Sequence, residues 1–256
     1  MIKIALTGKN ISYSKSPLLY SLLSKYFKDE IVCDLIDIEE DQLELTLDKI
    51  RNKEYLGTSV TIPYKEKVIK YLDSLTEKAK FVGAVNCVYL KEGKLIGDNT
   101  DIDGLEFLLN NNNISYHDKK IICLGTGGAA KSTKYVFRND NLTFVTRNKD
   151  NYKGDFAKVI SYQELNDNYD IYINCTPIGT NSTIDCPIDT NIIKDKITID
   201  FVYKPKNTLF VTKSRLGISG VDILIGQGLS ALNNYLDIKI KLSLNELNEL
   251  REELTK

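Results

Sequence analysis

A single histidine, His117, stands in the 256 residues, and no two of the five cysteines form a C-x-x-C pair. One imidazole excludes a His-rich metal centre, so no metal cofactor is expected. The polar stretch Tyr116-His117-Asp118 marks His117 as a surface loop residue, since a functional histidine needs an orienting partner and a cleft. Of Cys33, Cys87, Cys123, Cys175 and Cys186, four lie in apolar, strand-like segments, which reads as buried reduced thiols. Excess charge is also lacking: 34 Lys plus Arg stand against 35 Asp plus Glu with no basic block, so attraction to a phosphate backbone has no source and nucleic acid is excluded as a partner. No apolar run reaches the length that spans a bilayer, and that in the opening MIKIALTGKN is too short for a signal peptide. A cytoplasmic protein without a membrane partner is expected. No solenoid repeat and no low-complexity linker interrupts the chain.

What is present is ordinary globular material, 42% hydrophobic and 27% charged, enough for one large or two modest cores. Apolar runs of strand length alternate with amphipathic stretches of helix length, the pattern of βαβ units and a mainly parallel sheet, so the fold class is α/β. Strands are expected near 2–8, 31–38, 56–61 and 84–90, with helices near 16–28, 39–51, 64–72 and 101–113. At Lys119 the pattern begins afresh with a strand (KKIICLG), a glycine-rich turn, a helix near 128–138 and a second strand (LTFVT). Further strands are expected near 157–160, 170–174 and 197–202, and long helices near 223–236 and 243–254; 181–191 reads as a loop. A second α/β domain therefore starts near residue 119.

The segment Gly125-Thr126-Gly127-Gly128-Ala129-Ala130 satisfies G-x-G-x-x-A directly after a strand and at the start of a helix. Glycine is needed where the backbone turns sharply and approaches a pyrophosphate, and a small residue where helix meets strand; the free N–H groups of the helix start then hold the anion. A bare structural turn is the alternative. At the end of the next strand NAD enzymes usually carry a carboxylate for the ribose hydroxyls. Here stands Thr146-Arg147-Asn148, without a carboxylate, and Arg147 suits charge-assisted bonds to a 2′-phosphate. This favours NADP, a solvated surface arginine being the alternative.

The first half has no glycine fingerprint, but it concentrates hydroxyl, amide, lysine and carboxylate residues at the ends of its expected strands. There, and on into the second half, a set of short motifs stands in order. Ser12-Tyr13-Ser14-Lys15-Ser16-Pro17 is similar to H-S-x-S-P; Gly57-Thr58-Ser59-Val60-Thr61-Ile62-Pro63-Tyr64-Lys65 to G-x-N-V-T-x-P-x-K; Gly83-Ala84-Val85-Asn86 to G-A-V-N; and Asp98-Asn99-Thr100-Asp101 to N-T-D. Later, Asn174-Cys175-Thr176-Pro177 resembles N-A-T-P, Asp200-Phe201-Val202-Tyr203 the D-x-x-Y strand, and 220–227 the glycine-to-glutamine segment before the closing helix. Each motif alone is weak; the ordered set is specific, and by it the chain resembles the shikimate dehydrogenase family.

The resemblance implies an NADPH-dependent reduction of 3-dehydroshikimate to shikimate in aromatic amino acid biosynthesis, with that small molecule as partner. It implies a substrate domain of 1–101 plus a returning C-terminal helix, 236–256, and an NADP-binding domain of the Rossmann type over 102–235. Lys65 is implied as acid/base with Asp101 beside it. Ser14 and Ser16 would hold the substrate carboxylate, with Thr61, Asn86, Tyr203 and Gln227 gripping carboxylate or ring hydroxyls. The cofactor would meet Gly125, Thr126, Gly127, Gly128, Ala129, Thr146, Arg147 and Asn148, with Glu77, Phe201 and Gly220 near it. Read alone, Ser16-Pro17 and Pro63 also suit helix starts, and Asp101 also suits a helix cap. The chain departs from the family pattern at Tyr13 (usually His), Ser59 (usually Asn), Asn148 (usually Thr) and Asn151, where a second basic residue is usual. A quinate/shikimate dehydrogenase using NAD or both cofactors, and a dinucleotide-binding sensor without catalysis, are the competing readings. Neither a monomer nor a homodimer is excluded.

Overall fold

The apolar run Ile4-Ala5-Leu6 forms the buried centre of β1 (Ile2–Gly8), whose two edges pair in parallel with β2 (Ile31–Asp37) and β3 (Gly57–Val60), as the near-continuous apolar run of a strand covered on both faces requires. Between them lie α1 (Ser16–Leu23), with Pro17 in its first turn, and α2 (Leu43–Arg51). The latter is led in by a capping box in which Gln42 accepts from the Glu39 N–H at 3.0 Å. Leu43, Leu47 and Ile50, at the spacing of one helix face, are buried against Val60, Val68, Val88 and Leu95. Burial of each such aliphatic chain contributes about 1.5–3 kcal/mol. The computed structural model describes residues 1–27 and 29–256, so the expected helix end at residue 28 lies outside the described residues.

Next come β4 (Ser74–Leu75), α3 (Glu77–Val82), β5 (Cys87–Lys91), β6 (Lys94–Asp98) and α4 (Asp101–Asn111). The expected helix over 64–72 is only a 3₁₀ turn, Lys67–Tyr71. The carbonyl of Lys65, which an α-helix would offer to Ile69, accepts instead from Val85 N–H at 2.7 Å, and Ile69 N–H turns to Glu66 O at 3.3 Å. The first sheet also departs from the mainly parallel expectation. Its order is β2-β1-β3-β5-β6-β4, and both β3–β5 and β5–β6 are antiparallel. The β5–β6 hairpin turns at Glu92-Gly93, with φ of 52° and 76°, as a two-residue hairpin turn demands.

The second sheet is built from β7 (Lys120–Leu124), β8 (Asn141–Thr146), β9 (Val159–Ser161), β10 (Ile171–Asn174), β11 (Ile197–Asp200) and β12 (Leu216–Ile218), with α5 (Gly128–Val136) after β7 and α6 (Leu209–Thr212) before β12. All pairs are parallel, in the order β12-β11-β10-β7-β8-β9. Counted within this sheet that is 6-5-4-1-2-3, the doubly wound order with a switch point between β7 and β10, where such folds hold ligands beyond the carboxyl ends of the strands. The chain closes with α7 (Val221–Leu236) and α8 (Leu244–Thr255).

These elements make two units, Met1–Gly104 with Ile225–Leu254 and Lys256, and Leu105–Leu224 with Thr255. The expected return to the first unit at residue 236 thus comes earlier, at 225. The cause is what α7 touches: Ser230 donates to Asp103 Oδ2 at 3.0 Å, Asn234 to Asp98 Oδ2 at 2.9 Å, and the Tyr235 hydroxyl lies 3.3 Å from Ser59 Oγ. Gly228 lies so close to α1 that a Cβ there would stand 2.5 Å from Leu19 Cδ2. Among the described residues no helix is long and apolar enough to cross a membrane.

Candidate active site

In the first unit, strand ends deliver the polar side chains. Thr61 follows β3, its N–H fixed on Thr7 O at 2.9 Å, and Lys65 comes four residues later. Lys65 Nζ donates to Asp101 Oδ2 at 2.7 Å, with side chains 29% and 21% exposed, so the pair is half sunk and open to a small ligand. The other carboxylate oxygen of Asp101 accepts from Asn86 Nδ2 at 2.8 Å. Asn86 Oδ1 in turn accepts from Thr100 N–H at 2.7 Å and from Thr100 Oγ1 at 3.2 Å. The amide is thereby fixed in orientation, and the carboxylate with it. Asp101 opens α4, where the helix dipole favours a negative charge. Beneath them Asp98 accepts from Thr76 Oγ1 at 2.5 Å, Asn99 N–H at 2.8 Å and Asn234, and Lys78 pairs with Asp103.

Ser14 and Ser16 are brought together at the start of α1: Ser14 Oγ donates to Ser16 Oγ at 3.3 Å and accepts from Ser16 N–H at 3.2 Å. Gln227 is half-buried on α7, one residue before the glycine that meets Leu19 of α1. Tyr13 is exposed, whereas Ser59 is buried with its hydroxyl between those of Tyr20 and Tyr235.

In the second unit, Gly125 follows β7 with φ +103°, a conformation that a side chain resists. Gly127 and Gly128 face open space where a Cβ would project. Beside them is a pocket of about 600 Å³ whose lining includes Gly125, Thr126, Gly127, Thr146, Arg147 and Asn148. This fits a nucleotide: bare backbone N–H groups at the start of α5, room for a phosphate against them, and a guanidinium further along the wall. A second pocket of about 400 Å³ continues past Arg147 to Lys149, Gln163 and Glu164. Lys149 Nζ holds Glu164 at 2.6 Å, and that bond together with those from Ser161 pushes the Glu164 carboxyl down to about 2.

Opposite Gly125 the wall is the end of β10. Asn174 Oδ1 accepts from Thr176 N–H at 3.0 Å and Thr176 Oγ1 at 2.7 Å, while its Nδ2 donates to Asp200 Oδ1 at 2.9 Å. Asp200 is buried and also accepts from Val202 N–H at 2.9 Å and Thr208 Oγ1 at 2.6 Å. Burial pushes its carboxyl up to about 6, against the pull of these donors. This ladder ties the ends of β10 and β11 and sets the backbone of Thr176, which lines the pocket.

Of the remaining expected residues, Ala129 stands in the first turn of α5, Phe201 and Tyr203 follow β11 half-buried, and Gly220 packs where a Cβ would stand 2.6 Å from the Asp200 and Phe201 carbonyls. Glu77 lies in the first unit on the first turn of α3, 84% exposed and paired with Lys80. His117 is an exposed loop residue beside Asp140. Seven lining residues lie outside the expected site set: Val145, Tyr162, Cys175, Thr176, Pro177, Ile178 and Pro187, of which Cys175, Thr176 and Pro177 stood in the N-A-T-P-like motif without an assigned role. The doubly wound strand order, which sets β10 beside β7, is what brings Cys175 and Thr176 to the pocket.

Comparison with known proteins accords with this geometry. The pattern describing the shikimate dehydrogenase substrate binding domain matches residues 6–88. Shikimate dehydrogenase (NADP(+)) of Clostridium beijerinckii is 34% identical over 94% of this chain and 94% of its own. Among solved structures, shikimate dehydrogenase 1 of Peptoclostridium difficile superimposes with a TM-score of 0.85 at 30% identity, covering 100% of this chain and 98% of that one. A shikimate dehydrogenase in complex with NADP+ does so at 0.85 and 26%, covering 99% and 94%.

Proposed function

The chain belongs to the shikimate dehydrogenase family, and we propose that it is an NADPH-dependent oxidoreductase that reduces the ring ketone of 3-dehydroshikimate to the alcohol of shikimate, reversibly and in the cytoplasm. In this reading the first unit binds the substrate and the second the dinucleotide. The observation that carries it is the oriented Lys65–Asp101–Asn86 constellation, a charged donor held at 2.7 Å by a carboxylate that is itself fixed at 2.8 Å.

The dihydronicotinamide of NADPH supplies the hydride. Negative charge then develops on the former carbonyl oxygen and must be met by a donor already in place. Lys65 Nζ meets it, first as a positively charged ammonium donor and then by giving up a proton, and it takes that proton back in the oxidative direction. Asp101 keeps the ammonium aimed and accepts from a ring hydroxyl. Ser14 and Ser16, two hydroxyls at one helix start, bind the substrate carboxylate, joined by Thr61, Tyr203 and Gln227. Asn86 acts on the substrate and through Asp101. On the second unit, backbone N–H groups of 125–130 hold the pyrophosphate, and Arg147 holds the 2′-phosphate that separates NADP from NAD. An acid/base lysine with its own carboxylate has no use in a non-catalytic sensor.

The test is the fall in NADPH absorbance when 3-dehydroshikimate is added to purified protein, with shikimate against quinate and NADP against NAD compared by kcat/KM in reverse. Turnover favouring shikimate and NADP is expected. Absence of NADPH oxidation would overturn the assignment, and preference for quinate with NAD would replace it with the broader dehydrogenase.

A further inference from the structure

Cys123 and Cys175 stand 52 residues apart in sequence and meet only through the register of the second sheet. Cys123 pairs with Ile173 in the β7–β10 ladder, and Cys175 N–H donates to Leu124 O at 3.0 Å. Both side chains join the cluster of Ala130, Phe144 and Phe156 under α5. Their sulfurs are 3.3 Å apart, against about 2.0 Å in a disulfide. Cys175 Sγ also lies 3.3 Å from Thr133 Oγ1, whose hydroxyl donates to Ala129 O at 3.0 Å. The two thiols differ in access. Cys175 is half-buried and lines the 600 Å³ pocket, whereas Cys123 is fully buried behind it. A small oxidant entering the pocket meets Cys175 first, and the product on Cys175 has a second thiol within reach, the arrangement of an attacking and a resolving cysteine.

We propose that Cys123 and Cys175 form a peroxide-reactive dithiol in the pocket wall, and that its closure to a disulfide weakens dinucleotide binding; the second clause rests on the reading of that pocket given above. The Cys175 thiolate attacks one oxygen of a hydroperoxide, the O–O bond breaks, and Cys175 becomes a sulfenic acid as water or an alcohol leaves. The Cys123 sulfur then attacks the Cys175 sulfur, the S–O bond breaks, and the sulfenic hydroxyl departs as water with the Cys123 proton. Two thiols are oxidised by two electrons and one peroxide is reduced; a thiol reductant reverses the change.

Closure draws the sulfurs together by more than an ångström. Gly125 takes up the movement, because its carbonyl lies 3.8 Å from Cys123 Sγ and a Cβ on it would stand 3.5 Å from the Cys175 carbonyl. Loss of one charge-assisted bond between this turn and a pyrophosphate lowers affinity roughly tenfold or more.

The experiment treats the reduced full-length chain with a small excess of hydrogen peroxide, digests it without reductant, and titrates both forms with NADPH by fluorescence. A peptide joining Cys123 to Cys175, lighter by two hydrogens, is expected, with the NADPH Kd raised about tenfold and restored by dithiothreitol. In Cys123→Ser the reaction should stop at a Cys175 sulfenic acid that a cyclic 1,3-dione captures. Absence of the joined peptide, or joining to another cysteine, overturns the dithiol. A joined chain that binds NADPH within about twofold of the reduced one overturns the effect on binding. If the reduced chain itself fails to bind NADPH, the dinucleotide reading fails, and peptide mapping still decides the thiol pair.

Discussion

Replacing Lys65 by Met removes the ammonium and keeps the aliphatic stem. Two magnitudes follow from the surroundings. The ion pair to Asp101 is partly exposed, so its loss costs about 1 kcal/mol of stability or less. The cost stays small because Asn86 Nδ2 still satisfies one carboxylate oxygen at 2.8 Å. The variant should therefore fold with a melting temperature within a few degrees of the parent, about 2–4 °C per kcal/mol for a chain of this size. Catalysis should suffer far more, since positioned proton transfer contributes about 10²–10⁴-fold, or roughly 3–5 kcal/mol at 1.36 kcal/mol per decade. Steady-state NADPH oxidation should show that loss in kcat, with the NADPH Kd unchanged, because no residue of the dinucleotide pocket is altered. Lys65→Met with kcat within about threefold of the parent would refute the assignment of the proton donor. A melting temperature lowered by more than about 10 °C would refute the reasoning about the pair itself.

Arg147→Ala should raise the Kd for NADPH about 10–100-fold while leaving that for NADH near its parent value, as loss of a charge-assisted contact to the 2′-phosphate requires; equal losses for both would remove Arg147 from cofactor choice. Gly125→Ala should destabilise the fold by about 1–2 kcal/mol in urea, because φ is +103° and the new Cβ stands 3.1 Å from Thr176 Cγ2; an unchanged midpoint would show that the turn relaxes freely. Asp200 gives a pH dependence. Its folded value of about 6 lies above the ordinary 3.8, so its contribution is present below about pH 4 and is lost as pH rises through 6, by about 3 kcal/mol. The stability difference between the parent and Asp200→Asn should fall by that amount from pH 4 to pH 7, and a flat difference would place the Asp200 carboxyl near its ordinary value.

The sequence was most legible where one local rule decided the outcome. The strand-turn-helix around 125–130 appears as read because glycine and a helix start are both local requirements. The first half was less legible where partners distant in sequence decided. Nothing in Tyr64-Lys65-Glu66 announces that the Lys65 carbonyl will be claimed by Val85, yet that bond turns an expected helix into a 3₁₀ turn. β6 escaped because its Gly97 carries no side chain to mark the alternation, although Glu92-Gly93 was a readable turn. Residues 225–235 looked like a continuation of the second unit because amphipathic periodicity says which face is buried, not against what. Lys65 and Asp101 could be named from motifs, but their contact and the hold of Asn86 on it are tertiary facts. The two thiols share no motif at all; only a parallel register makes them neighbours.

The late return of α7 has a consequence for synthesis. The first unit needs Ser230, Asn234 and Tyr235 to complete its bonds to Asp103, Asp98 and Ser59. On the ribosome, residues 1–104 emerge with those partners still untranslated, whereas 105–224 can settle as soon as the last of them clears the exit tunnel. The second unit is thus finished before the first, and a nascent chain stalled short of residue 236 holds an amino-terminal sheet with all its strands but without the α7 side chains that bond to it, exposed to chaperones and proteases.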